Sequence, residues 1–207
     1  MTLGVEGEIA GIARDLSQHL GYVDLQPQTA SWGESDMPSD HGVVLPDRVV
    51  LPLSMKGNLA SSEWKPLIAS SLIYYHSNET KRRQRVGLTI NLGLVGLLVL
   101  PFVPLSSMYG AKTGIPIIVV LAYLLYTWAS ILTVLYYFQR HRVRTRLLAD
   151  RLASERAIDS QALVDVLNRI DRMNLSDIER RKQAKVPWLW LSWRPSIKER
   201  IQNLESG

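Results

Sequence analysis

Hydrophobic positions change their period several times along this chain, and each change predicts an element. Between Val5 and Leu20, apolar residues fall at Ile9, Ile12, Ala13, Leu16 and Leu20, the spacing of one helix face, and Gly21 is placed to stop it. Val23 to Asp40 is rich in Pro, Ser, Asp and Gly and predicts short strands and turns. Val43-Val44-Leu45 and Arg48-Val49-Val50-Leu51 flank Pro46-Asp47, which predicts a hairpin, with Pro52 weakening its second strand. A small antiparallel sheet between Val23 and Leu53 is expected. Ser61 or Ser62 then caps a helix through Leu67, Ile68, Leu72 and Tyr75 into the basic cluster at 81–85, placed to continue straight into the next apolar run, with Pro66 tolerated in its first turn.

The middle of the chain loses its polar stripe altogether. Val86 to Leu105 and Gly114 to Phe138 contain no charged residue. Crossing ~30 Å of hydrocarbon takes about 20 helical residues, so both runs predict membrane spans, about 86–105 and 114–138. Ser106 to Thr113 would join them. Beyond them, Arg140 to Ala157, Ser160 to Met173, Ser176 to Ala184 and Pro195 to Leu204 all carry helical patterns, with Asp159 or Ser160 capping the second. The expected fold is α+β and mainly helical, a two-helix transmembrane hairpin attached to a cytoplasmic domain. That domain would be split between residues 1–80 and 140–207, with the hairpin in 81–139.

Charge orients this arrangement. Lys81, Arg82, Arg83 and Arg85 precede the first run, and Arg140, Arg142, Arg144 and Arg146 follow the second. Basic residues stay on the cytoplasmic side, which predicts a multi-pass cell-membrane protein with both termini cytoplasmic. The same charges account for much of the net +5 and, flanking a hairpin, point to a lipid bilayer and not to nucleic acid. There are no cysteines among the 207 residues, which excludes disulfides, thiolate zinc sites and a cysteine nucleophile.

Candidate chemistry centres on what one helix lacks. Leu59-Ala60-Ser61-Ser62-Glu63 leads into Ser70-Ser71-Leu72-Ile73-Tyr74. Later come Arg146-Leu147-Leu148-Ala149-Asp150-Arg151 and, near the end, Arg194-Pro195-Ser196-Ile197-Lys198-Glu199-Arg200-Ile201-Gln202-Asn203-Leu204. In this order, with the apolar runs between, the chain resembles the integral-membrane zinc metallopeptidases that include HtpX and the CAAX prenyl proteases. The resemblance covers roughly Val5 to Leu204. It implies that an HExxH helix should stand where Ser70, Ser71 and Tyr74 are, and a third ligand, a glutamate, at Arg146. Asp150, Pro195, Arg200, Ile201 and Leu204 match the family pattern, whereas the histidine expected before Pro195 is Arg194.

Every metal position departs from the pattern. Zinc takes imidazole, thiolate or carboxylate donors, and without them no bound water is activated. The resemblance therefore implies a catalytically inactive homologue with no cofactor, serving as a binding, accessory or stabilising subunit of a membrane protein complex. The alternative is an active zinc metalloendopeptidase with atypical ligands. In the first case Arg146 is expected to fill the vacated site by bonding the hydroxyls of Ser70, Ser71 or Tyr74. A frame shifted to make His76 the second histidine would put Leu72 and Ile73 at the first ligand and the base, and His19, His41 and His141 are scattered and read as surface or capping residues. Ser70 and Ser71 lack a nucleophile elbow. Trp188, Trp190 and Trp193 are candidate membrane, core or partner contacts, and Gly93 and Gly96, with Gly87, candidate close-approach points for another helix.

Overall fold

The structure, a computed structural model, describes residues 4–34, 37–99, 117–183 and 194–206. It is mainly helical with one small sheet. Helix α1 (Val5–His19) carries Glu6 and Glu8 in its first turn, favourable at the positive end of the helix dipole. It buries Ile9, Ala10, Ala13 and Leu16 and ends ahead of Gly21, which adopts φ +77°. That left-handed conformation is cheap for glycine.

Three short strands follow: β1 (Thr29–Trp32), β2 (Val43–Val44) and β3 (Arg48–Leu51). The predicted hairpin forms, with β2 antiparallel to β3 and the turn closed by Leu45 N–H on the Arg48 carbonyl at 2.8 Å. The sheet is nevertheless mixed and not antiparallel. Its order is β1-β3-β2, and β1 runs parallel to β3, pairing Thr29 with Arg48 and Trp32 with Leu51. A parallel pair needs a crossover connection, and the chain between β1 and β2 supplies it. That crossover brings Ser39, Asp40 and His41 into the interior.

Helix α2 (Trp64–His76) is the centre of the molecule. Glu63 accepts from the Ala60 amide at 2.7 Å and fixes its entry. Trp64, Leu67, Ile68, Leu72 and Ile73 are fully buried, and so are Ser70 and Ser71. A helix that is apolar all round belongs inside a core, and α2 packs against α1, the sheet and the long helix described next. Ser77 breaks it with an extended conformation, so it does not run straight on into the following helix.

That following helix is α3 (Asn78–Val99), and the 40-residue α4 (Ile117–Arg156) packs antiparallel to it. The transmembrane hairpin expected here, and with it the multi-pass membrane location with cytoplasmic termini, is corrected. Among the described residues no helix is long and apolar enough to cross a membrane. The 22 residues of α3 include Lys81, Arg82, Arg83 and Arg85 in its first turns, so only its later turns are uncharged. Helix α4 runs without a break into an arginine-rich half that packs on the core. Residues 100–116, which hold the ends of both apolar runs and their connection, lie outside the described residues.

The chain closes with α5 (Ser160–Arg172), α6 (Ser176–Gln183) and α7 (Ile197–Glu205). Asp159 caps α5, its carboxylate accepting from Gln161 N–H at 3.1 Å. Ser196 and Glu199 form a reciprocal capping box on α7. Residues from both ends of the chain, Ile9 to Leu204, share one hydrophobic core.

Candidate functional site: a buried charge cluster and an arginine-lined cavity

A serine inside an apolar helix must satisfy its hydroxyl within the protein. Ser70 on α2 donates to Asp150 Oδ1 on α4, and both residues are fully buried. A carboxylate buried in this way needs a cation, and α7 provides it. Arg200 Nε donates to Asp150 Oδ2 at 2.7 Å and its Nη2 to Oδ1 at 2.8 Å, a bidentate fork. The remaining nitrogen, Nη1, donates to the Asp40 carboxylate at 2.9 Å and to the Asp40 carbonyl at 3.2 Å. Arg200 thus ties α7, α4 and the β1–β2 crossover together. Burial alone would raise the Asp150 pKa, but the charge and hydrogen bonds of Arg200 outweigh it and hold the carboxyl below its ordinary value. Burial likewise works against the charge on Arg200, and Asp150 overcomes it, leaving that pKa raised.

One turn before Asp150 on α4 lies Arg146, only 7% exposed. Its guanidinium carbon sits 5.3 Å from the centre of the Tyr74 ring, a cation–π contact. Its Nε is 3.9 Å from Asp150 Oδ1, an oxygen already taken by Ser70 and Arg200. Neither Nη1 nor Nη2 has a hydrogen-bond partner among the described residues. Burial, and after it the charge of Arg200, lowers the Arg146 pKa to about 10, so it is a cation at neutral pH. The expected bonds from Arg146 to the three hydroxyls are therefore corrected. It faces α2 but stacks on Tyr74, because Asp150 has already claimed the Ser70 hydroxyl.

Ser71 turns the other way, 3.4 Å from His41 Nδ1, and His41 Nε2 lies 2.8 Å from the Tyr75 hydroxyl. The expectation that His41 is a surface residue is overturned: it is 7% exposed and packs edge-on against Tyr74. Burial first, then the charge of Arg146, pushes its pKa well below the ordinary imidazole value. It is therefore neutral at pH 7.

Ser70, Ser71, Tyr74 and Arg146 thus come together from sequence positions far apart. Trp188, Trp190 and Trp193 lie outside the described residues. Gly93 has open space where a side chain would project, and Gly96 shares its helix, α3. Close helix approach is found instead at Gly87, where a Cβ would stand 2.5 Å from the His141 ring. His19 and His76 each lie against a main-chain carbonyl, of Arg156 and Val44.

The donor set at the positions which the resemblance assigns to zinc does not fit that ion. It offers three hydroxyls and a guanidinium, and the nearby Asp150 carboxylate is engaged by Arg200. Among the described residues no group of three or more His, Asp or Glu side chains is placed to hold a metal. What these residues border instead is a cavity of about 440 Å³, lined by Asp40, His41, Tyr74, Tyr75, Arg142 and Arg146 among others. Sequence reasoning missed the roles of Asp40, His41 and Arg200. Asp150 and Arg200 both fall on positions that match the pattern of the resemblance, and opposite charges at two such positions were the available signal. No protein-family model, curated protein or solved structure matches the chain.

Proposed function

We propose that this chain is a non-catalytic, peptidase-like protein that acts by binding, as an accessory or stabilising subunit of a larger protein complex. The observation that carries this reading is the state of the α2–α4 interface. Hydroxyls and a buried arginine occupy the positions that the resemblance assigns to zinc ligands, and Arg146 sets a fixed positive charge where, on that resemblance, a dication would have to sit. The general base expected beside the first ligand is Ser71, and the histidine nearest to it is kept neutral and tied to Tyr75.

A surface feature supports the binding half of the reading. Leu125, Trp128, Ile131, Leu132, Tyr136 and Tyr137 on α4 are all exposed. Single exposed apolar residues are ordinary, but a run of them along one helix marks an interaction surface. The partner that suits it is a protein chain presenting an apolar face of its own.

Two measurements test the proposal. Elemental analysis of protein purified without chelator is expected to show no stoichiometric zinc. A full equivalent of zinc, removable by chelation, would restore the catalytic alternative. Affinity purification of the full chain from its native cells is expected to recover a second protein in fixed ratio, and Trp128→Glu is expected to release it. Recovery only as a lone chain defeats the accessory-subunit role.

A further inference from the structure

The cavity beside Arg146 is cationic. Arg142, Arg146 and Arg194 line it, with Asp40 as the carboxylate among its described lining residues, and that carboxylate accepts from Arg200. Arg146 is more than nine-tenths buried, yet both of its terminal nitrogens are without partners among the described residues. His141 Nε2, on the same wall, is also buried and without a partner among the described residues. A buried polar group without a hydrogen bond is costly, and more so when charged. Such a group in a native fold points to something that completes it. Tyr74 holds the guanidinium by one face. The two terminal nitrogens of such a fork match the paired oxygens of a carboxylate or phosphate. The volume, about 440 Å³, lies within the range of small-molecule sites, and Tyr75, Phe138 and Pro195 supply apolar or aromatic wall.

We propose that this cavity binds a small molecule through one oxyanionic group, a carboxylate or a phosphate, which pairs with the Arg146 guanidinium as a small side-chain shift brings its buried terminal nitrogens to the cavity surface. The rest of the ligand lies against Tyr75 and Phe138. This inference stands on the geometry of Arg146 and holds whether or not the chain descends from a peptidase.

Isothermal titration of the full chain with sodium benzoate and with inorganic phosphate, at constant ionic strength, tests it. Benzamide serves as the neutral control. Saturable binding of benzoate or phosphate is expected at about 1 mM or tighter, with no binding of benzamide. Benzoate alone assigns a carboxylate ligand, phosphate alone a phosphate, and both an oxyanion seat that takes either. Arg146→Met is expected to weaken binding by about tenfold or more, while Arg169→Met, at an exposed arginine of α5 that does not line the cavity, leaves it unchanged. Arg146→Lys keeps the charge but loses the fork, so it too must bind more weakly than the parent. It decides the matter should Arg146→Met fail to fold. No saturation by either anion in the unmodified protein overturns the proposal, as does anion binding that both Arg146 variants retain in full.

Discussion

Two buried arginines, Arg200 on α7 and Arg146 on α4, live in opposite circumstances. Arg200 is 1% exposed and uses all of its side-chain nitrogens on two carboxylates and a carbonyl. Arg146 is almost as deeply buried and has one distant carboxylate, a tyrosine face and two nitrogens with no partner among the described residues. The contrast teaches that burial of charge alone does not identify a structural ion pair. Satisfaction of every donor marks the first arginine as a staple of the fold. The unmet donors of the second mark a position kept for something other than stability.

The largest expected effect follows from removing the staple. Arg200→Met leaves Asp150 and Asp40 buried without their cation, and stranding one partner of a buried pair costs about 3–5 kcal/mol. Urea denaturation should show that loss, and a midpoint within error of the parent would erase the distinction between the two arginines. Ser70→Ala probes the same network more gently. Asp150 keeps both Arg200 contacts and loses one hydroxyl donor, so the expected loss is about 1.5–3 kcal/mol, the range for a hydrogen bond to a charged group.

Little of this network was legible in the sequence, and the reasons are physical. The helices were legible because their apolar spacing is local: α1, α5 and α7 follow the pattern within a residue or two of its predicted limits, whereas α2 stops at His76 and not in the basic cluster beyond it. The hairpin was legible from Pro46-Asp47 between β-branched runs. The parallel partner β1 was not, since strand direction depends on a ten-residue crossover with no periodic signal. Ser70 and Asp150 are 80 positions apart, and Arg200 and Asp40 160 apart. Nothing in local composition pairs them. The two uncharged runs predicted membrane spans, yet among the described residues no helix is long and apolar enough to cross a membrane, and the helices that carry the runs also carry Lys81 to Arg85 and the arginines from Arg140 to Arg156.

A third way to sharpen the comparison is pH. The folded-state pKa of His41 lies well below that of the unfolded chain, which is about 6.5. Its contribution to stability is therefore complete above pH 6.5 and is lost as pH falls below that value, with a slope approaching 1.4 kcal/mol per pH unit. Asp150, also lowered, acts in a separate window: its contribution is lost only below the ordinary aspartate value of about 3.9. His41→Gln should flatten the upper window and leave the lower one in place. An unchanged slope between pH 6.5 and 5 would mean that His41 protonates freely in the folded protein.

The smallest expected effect on stability is the most telling. Arg146→Met keeps a flexible stem of similar length against Tyr74 and removes the guanidinium. What is lost is a 3.9 Å approach to a carboxylate that Arg200 already neutralises. What is gained is relief from two partnerless buried donors and from repulsion by Arg200. Losing the cation–π contact costs about 0.5–2 kcal/mol, and relieving the unmet donors returns a similar amount. The net change should lie within about 1 kcal/mol of zero, read from urea midpoints in anion-free buffer. Stability alone then gives no reason for an arginine at this position, and a ligand that completes its hydrogen bonds does. In saturating benzoate or phosphate, whichever binds, the parent should gain stability by mass action while Arg146→Met does not. A loss of 3 kcal/mol or more on mutation would instead place Arg146 beside Arg200 as a second staple.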